Sequence, residues 1–309
     1  MFKTNEFILP SGATSLFDVQ RWTFDVHLSK QAVMSTIVKK IYKIVNETVF
    51  PPKCLVCSSF IQSPEDDYNG VSGEADVSLT VQIQVDQLLS EYLCRNCLEG
   101  LAAVESPLCS CCGLPFESRH GLDHRCGDCS TSPKKFRIAR APLIYEQIFT
   151  EIVHCYKYKG KIQLARPLGE LLLTAFRLFW DKDSIDVVVP VPLHLKRLRK
   201  RGFNQVYLLI RNWQTIAGQG PFDLGDLQIE RDIIVRTVPT APQTGLGRRQ
   251  RAENIKDAFV LADEAKIIDK RILLVDDVYT TGATVNECAR LLLHHGAAHV
   301  DVLSLARAV

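Results

Sequence analysis

Apolar and polar positions divide the chain into three stretches of different character. In residues 31–49, Val33, Met34, Ile37, Val38, Ile41, Tyr42, Ile44 and Val45 recur at three- and four-residue steps, which predicts one amphipathic helix stopped by Pro51 and Pro52. Such a helix is read as packing on its own protein. Residues 51–132 form a cysteine-rich segment, within which 63–78, polar, acidic and rich in turn formers, read as an exposed loop. From about 136 the pattern alternates between strand and helix. Strands are predicted at Ile138–Tyr145, Asp186–Val191, Ile233–Thr237, Asp257–Leu261, Arg271–Val275 and His299–Ala306. Helices are predicted at Gln147–Tyr158, Arg166–Trp180, Asn204–Ile216 and Ala283–His295. The runs Val187–Val189 and Ile272–Val275 are continuously apolar, as strands covered on both faces must be. The expected organisation is an extension over 1–50, a small cysteine-rich segment over 51–132, and an α/β domain with a mostly parallel sheet over 136–309. Ligands then belong at the carboxyl ends of the strands.

Composition narrows the class. The chain has 309 residues, 46% hydrophobic and 23% charged, enough to bury a core. Its 37 Lys and Arg against 35 Asp and Glu leave a net charge of +2, which excludes a polycation but not a local basic face. No stretch approaches the roughly 18 apolar residues of a membrane helix. The opening residues lack the sustained apolar run of a signal peptide, so a cytoplasmic protein without membrane insertion is expected.

Cysteine usage adds chemistry. Nine of 11 cysteines lie between Cys54 and Cys129. Nothing directs export, so metal is expected rather than disulfides. Four CxxC pairs occur: Cys54/Cys57, Cys94/Cys97, Cys109/Cys112 and Cys126/Cys129. A two-residue gap lets both thiolates of a tight turn reach one ion, and four close a tetrahedron, so eight ligands predict two structural Zn²⁺ sites. Sequential pairing is the simplest, with cross-bracing as the alternative. Cys111 is the spare thiol beside Cys109 and Cys112, whose spacing is favoured. His120 and His124 are expected at the surface, and Cys155 and Cys288 as small buried side chains.

The most informative stretch is Arg271–Thr284, Arg-Ile-Leu-Leu-Val-Asp-Asp-Val-Tyr-Thr-Thr-Gly-Ala-Thr. A buried strand ends at two carboxylates, a Thr/Gly loop follows, and a helix begins. A loop entering a helix offers free backbone N–H groups and a positive dipole end, which suit phosphate. Thr280, Thr281 and Thr284 add hydroxyls, and Gly282 lets backbone approach closely. Asp276 and Asp277 suit a ribose diol or Mg²⁺. The plain alternative is an ordinary strand–turn–helix with a solvated acidic corner. A second patch, Pro190-Val-Pro-Leu-His194, follows a strand and leads into Lys196, Arg197, Arg199, Lys200 and Arg201. By itself this run fits a solvated face or a nucleic-acid patch. Arg236, Gln243, Arg248, Arg249 and Asn254 form a further basic and polar segment, and Lys157 and Lys159 are weaker candidates.

Residues Ile272–Thr284 resemble the signature of type I phosphoribosyltransferases that binds phosphoribosyl pyrophosphate (PRPP). That resemblance implies ribose contacts for Asp276 and Asp277, and 5′-phosphate contacts for Thr280, Thr281, Gly282, Ala283 and Thr284. Val191 and Pro192 then fall in the pyrophosphate loop, and Arg197 and Arg201 meet the leaving group. Some base-specific members have an acid where this chain has Thr280, so proton abstraction from that position is not expected. Phe50-Pro-Pro-Lys-Cys-Leu-Val-Cys57, Cys109-Ser-Cys-Cys-Gly-Leu-Pro115 and Arg201-Gly-Phe-Asn-Gln205 precede the signature. Over residues 50–309 the order is similar to the ComF family, in which a double zinc ribbon precedes a phosphoribosyltransferase domain. The resemblance implies an enzyme that takes Mg²⁺–PRPP, releases pyrophosphate and serves DNA uptake in transformation, beside a DNA-translocating helicase. No cysteine follows Met1, so ammonia from an attached glutaminase is not expected. The competing reading is a non-catalytic module that senses PRPP or a nucleotide and binds single-stranded DNA.

Overall fold

The structure, a computed structural model, describes residues 51–61, 77–118, 120–181, 183–219, 223–238, 250 and 255–309. The helix predicted over 31–49, most of the 63–78 loop, and Gln243, Arg248, Arg249 and Asn254 lie outside the described residues. The chain divides into two compact units, Met1–Pro52 and Lys53–Val309. The second carries both the cysteine-rich segment and the α/β domain.

The centre of this unit is a parallel sheet. Strands β1 (Ala139–Arg140), β2 (Leu143–Ile144), β3 (Val187–Pro190), β4 (Gln228–Ile229), β7 (Arg271–Tyr279) and β8 (His299–Arg307) run in the order β1-β8-β7-β3-β4, with β2 also on β8. All of these pairings are parallel. Strands β5 (Ile234–Arg236) and β6 (Phe259–Leu261) form a separate antiparallel pair. The apolar runs of the sequence are the sheet's inner strands, and their alternate residues feed opposite cores. Val188, Leu273 and Val275 enter one core, while Val187, Val189, Ile272 and Leu274 enter the other.

Helices cover both faces. On the first lie α1 (Val77–Leu89), α4 (Gln147–Tyr158), α5 (Ala165–Phe179), α7 (Gln205–Ile210) and α8 (Trp213–Ala217). Helix α4 buries Phe149, Ile152, Val153 and Tyr156, and α5 buries Leu168, Leu171, Leu172, Ala175 and Phe176, each at helical spacing. On the second face lies α9 (Ala283–His294), with Val285, Cys288, Ala289 and Leu292 inward. Two short helices, α2 (Arg95–Glu99) and α3 (Gly127–Thr131), begin directly after Cys94 and Cys126. The cysteine clusters share these cores: Cys54 and Cys97 pack with the first, and Cys109, Cys112, Cys126 and Cys129 with the second.

Several elements depart from their expected form. Ile138–Tyr145 is not one strand, because Pro142, which has no N–H for the ladder, separates β1 from β2. The strand expected to end at Val275 continues to Tyr279, held on one side by β8 through Asp276 opposite Ser304 and Tyr279 opposite Arg307. Asn204–Ile216 is two helices separated at Arg211 and Asn212. The basic run is a helix, α6 (Leu195–Arg201), whose first turn is capped by His194 Nδ1 accepting from Lys196 N at 3.1 Å. Residues 77 and 78, placed in the acidic loop by their composition, begin α1.

Helices α5 and α7 meet where α5 has no side chain. A Cβ on Gly169 would sit 2.3 Å from Leu209 O, and Trp213 Nε1 donates to Gly169 O at 3.1 Å. The obstacle is backbone, so Gly169→Ala should force the helices apart and cost about 2–3 kcal/mol of stability. Urea unfolding checks this; a midpoint within error of wild type would mean that the close approach carries no stability.

Candidate functional site

Two four-cysteine clusters and one gathering of acids, threonines and cations stand out on this frame. The Sγ atoms of Cys54, Cys57, Cys94 and Cys97 all lie within 4.8 Å of one another, and so do those of Cys109, Cys112, Cys126 and Cys129. The structure thus groups the CxxC pairs sequentially. With Zn–S near 2.3 Å, tetrahedral geometry puts neighbouring sulfurs about 3.8 Å apart. Cys57 and Cys94 are at 3.5 Å and Cys112 and Cys126 at 3.8 Å, so both donor sets fit zinc. All eleven cysteines are free, and Cys111 is buried but outside the quartet.

Local backbone explains how these thiolates are held. Cys109 Sγ accepts N–H bonds from Cys112 at 3.4 Å and Cys126 at 3.3 Å. Burial opposes its ionisation, yet backbone donors at Cys126, Cys112 and Cys111 lower the thiol to about 6. Neither His120 nor His124 joins a quartet. His124 is exposed and stacks on Phe116 with centroids 4.1 Å apart.

The candidate anion site lies just past the end of β3, where Pro190 stands opposite Val275 and β7 runs on to Tyr279. Val191 N donates to Val275 O at 2.8 Å, so the Val191–Pro192 turn stands beside Asp276. Asp276 and Asp277 are half-buried, and Asp276 Oδ1 accepts from Asp277 N at 2.9 Å. Burial, with the Asp277 carboxylate beside it, pushes Asp276 up to about 7. Lys157, from the last turn of α4, places Nζ 2.7 Å from Asp277 Oδ2, with each side chain only 17% exposed. Burial works against the Lys157 ammonium, but Asp277 outweighs it and holds the pKa above normal. A second cation, buried Arg236 on β5, acts electrostatically on Asp276 and is itself repelled by Arg197.

After Tyr279 the chain turns through Thr280 and Thr281 into Gly282, the residue before α9, at φ +74°. A Cβ there would fall 2.2 Å from the Tyr279 hydroxyl, so only glycine fits this left-handed turn. Gly282 brings no side chain to cap α9, and Thr280, Thr281, Ala283 and Thr284 are half-buried around the helix start. That arrangement can receive an anion. On α6, Arg197 and Arg201 are half-buried while Lys196, Arg199 and Lys200 are exposed. Arg201 lies 4.7 Å over the Tyr158 ring and donates to Gln205 Oε1 at 3.0 Å. The site therefore gathers Asp276, Asp277, the Thr280–Thr284 loop, Val191–Pro192 and α6 at one end of the sheet.

A protein-family model described as a phosphoribosyl transferase domain matches residues 229–308. The DNA utilization protein YhgH of Escherichia coli (strain K12) is 33% identical over 221 residues, covering 70% of this chain and 90% of that protein. Competence protein F of Haemophilus influenzae is 30% identical over 225 residues, covering 70% and 90%. The chain belongs to the ComF family. Competence protein ComFC of Bacillus subtilis is 26% identical over 226 residues, covering 70% of this ComF chain and 85% of its own length. The fold is accordingly a phosphoribosyltransferase fold with two four-cysteine clusters compatible with zinc. Among the described residues no helix is long and apolar enough to cross a membrane.

Sequence reasoning ranks Lys157 low, although it pairs with Asp277 at 2.7 Å in this ComF site; a lone Lys at a helix end gives no sign of what it will face. It misses Arg307 altogether. That residue is buried at the end of β8, a strand that already holds His299, Asp301 and Ser304, so a further charge there gives no distinct signal.

Two measurements check this geometry. Cys126→Ser should reduce zinc from two ions per chain to one and lower the melting temperature, because metal affinity is part of folding free energy. Cys111→Ser should leave two, and elemental analysis showing loss there would place Cys111 among the ligands. The second concerns Asp276. Its folded pKa lies above the unfolded value, so the folded state binds more protons between about pH 4 and 7 and stability falls as pH rises through that window. Asp276→Asn should therefore raise the melting temperature at pH 8 by roughly 3–6 °C, with the gain vanishing near pH 4. An equal gain at both pH values would remove carboxylate burial as its cause.

Proposed function

We propose that this ComF protein binds Mg²⁺–PRPP and transfers its phosphoribosyl group with release of pyrophosphate. The observation that carries the reading is the half-buried Asp276–Asp277 pair, followed within one turn by the Thr280–Thr284 loop over left-handed Gly282. Asp276 and Asp277 accept hydrogen bonds from the ribose 2′ and 3′ hydroxyls. The 5′-phosphate lies against Thr280–Thr284 at the start of α9. Val191, Pro192, Arg197 and Arg201 face the pyrophosphate, where guanidiniums remain charged and chelate its oxygens. Both acids are hard oxygen donors suited to Mg²⁺ directly or through water, and the ion would neutralise charge at the leaving group. During displacement the bond from C1 to the pyrophosphate oxygen breaks, the bond to the acceptor forms, and positive charge grows on the ribose. Fixed cations beside the leaving group and fixed carboxylates beside the ribose favour that separation of charge. Lys157 balances Asp277 before ligand arrives.

A second reading draws on α6. Its outward Lys196, Arg199 and Lys200 suit a polyanion, and relatives bear competence and DNA utilization names. In that reading the protein engages single-stranded DNA in the cytoplasm, beside a competence helicase, and PRPP is a sensed ligand without turnover.

One experiment separates them: pyrophosphate release from PRPP with Mg²⁺ across nucleobases, ammonia and single-stranded DNA, alongside calorimetric PRPP binding. Acceptor-dependent release that disappears in Asp276→Ala/Asp277→Ala supports the transferase. Binding without release under every acceptor supports the sensor. If the double variant binds PRPP as wild type does, the ribose assignment is wrong.

A further inference from the structure

Arg307 joins the second cysteine cluster to the loop that receives the phosphate. The side chain is only 8% exposed at the carboxyl end of β8. Its Nε donates to Cys112 O at 3.2 Å, and Nη2 lies 3.9 Å from Cys112 Sγ. On the other side of the guanidinium, Nη1 donates to Thr280 O at 2.8 Å and reaches Tyr279 O at 3.5 Å, and it also donates to Ala308 O. The plane of the group lies over the Tyr279 ring, 4.5 Å from its centroid. One rigid fork thus holds a candidate metal ligand, the last residue of β7 and the first residue of the Thr loop.

Peptide geometry carries this contact into the site. In a planar trans peptide the C=O and the next N–H point in opposite directions. Fixing Thr280 O on Arg307 therefore aims Thr281 N–H away from the guanidinium, to the side on which Thr281 and Gly282 turn into α9. Tyr279, clamped between Arg307 and Gly282, sets the floor of the same turn. At the other end, four thiolates around one Zn²⁺ would carry a net negative charge, which Arg307 partly offsets beside Cys112. The knuckle is also tied to the sheet through β1, where Ala139 N donates to Cys111 O at 2.7 Å and Ala139 pairs with Val302 of β8.

We propose that Arg307 is a positioning residue through which the Cys109–Cys112–Cys126–Cys129 zinc centre and the Thr280–Thr284 loop reinforce each other, so that bound phosphate ligand and bound zinc stabilise one another. This rests on the phosphate assignment proposed above. Linkage requires reciprocity: if zinc tightens ligand, ligand must tighten zinc by the same factor. The other cluster serves as an internal control, since its Cys57 is exposed and Cys94 half-buried, whereas all four thiols of the second are buried.

The test uses the full-length two-zinc protein. Zinc release to a chromogenic chelator is followed with and without Mg²⁺–PRPP or ribose 5-phosphate, beside calorimetric binding of each. Release should show a fast phase from the exposed cluster and a slow phase from the buried one. Saturating ligand should slow only the slow phase, by about fivefold or more. Arg307→Lys keeps the charge and loses the fork; it should retain two zinc ions, weaken ribose 5-phosphate about tenfold or more, and abolish the protection. Ligand binding with no change in the slow phase overturns the proposal, as does an Arg307→Lys protein that binds like wild type. If that variant fails to fold, the wild-type release rates decide alone. Ribose 5-phosphate binding without PRPP binding defeats the functional reading only, and the ribose 5-phosphate arm then decides this one. No binding of either ligand defeats both.

Discussion

Two consecutive carboxylates at the end of a buried strand repel each other and resist desolvation, and much of the surrounding structure answers that constraint. Asp276 is pushed up to about 7 by burial and by Asp277. The compensating charges come from elements far apart in sequence: Lys157 from the end of α4 and Arg236 from β5. Neither belongs to the strand–loop–helix unit that carries the acids, so folding of the whole sheet is needed to bring cation to anion. Balanced this way, the site stays folded while holding an arrangement that a ligand with its own cation would relieve.

The cysteine clusters obey a related logic. Their segments have little regular secondary structure, yet the two quartets lie in opposite cores of one sheet, Cys54 and Cys97 in the core that holds α5 and Cys109 in the core that holds α9. Metal at each position would close a loop of chain and at the same time pin that loop to a sheet face. The second quartet gains most from this, because all four of its sulfurs are buried and backbone N–H groups already favour the thiolate of Cys109.

How much can be read from the chain depends on the range of the forces involved. Helix α4 has the predicted bounds Gln147–Tyr158, because its apolar spacing is helical and Gly160 follows in a left-handed turn. The inner strands are legible because burial on both faces leaves an unbroken apolar run. Helix α1 is not: Val77, Leu79, Val81, Ile83 and Val85 alternate at period two, and only packing of Val81, Val85 and Leu89 on the first core decides for helix. The extension of β7 through Asp276 and Asp277 is hidden for another reason, since only β8 supports it and polar residues there resemble a loop. Within the site, the acids and the Thr loop are contiguous and therefore visible. The partners Lys157 and Arg307 are tertiary, 120 and 195 residues from Asp277 and Cys112 respectively, and no local pattern encodes them.

Helix α6 shows why net charge says so little about such a protein. The chain as a whole carries +2, yet seven residues hold five cations on two different faces. Arg197 and Arg201, one turn apart, are half-buried, with Arg197 near Arg236 and Arg201 stacked on Tyr158. Lys196, Arg199 and Lys200 stand in solvent. Salt screens the exposed set strongly, because its charges interact across water, and the half-buried set much less. A small anion chelated at the inner face and a long polyanion on the outer face would therefore respond differently to ionic strength, although both would meet the same helix. His194 at its first turn and left-handed Gly202 after its last fix where that helix begins and ends, and so fix which cations face which anion.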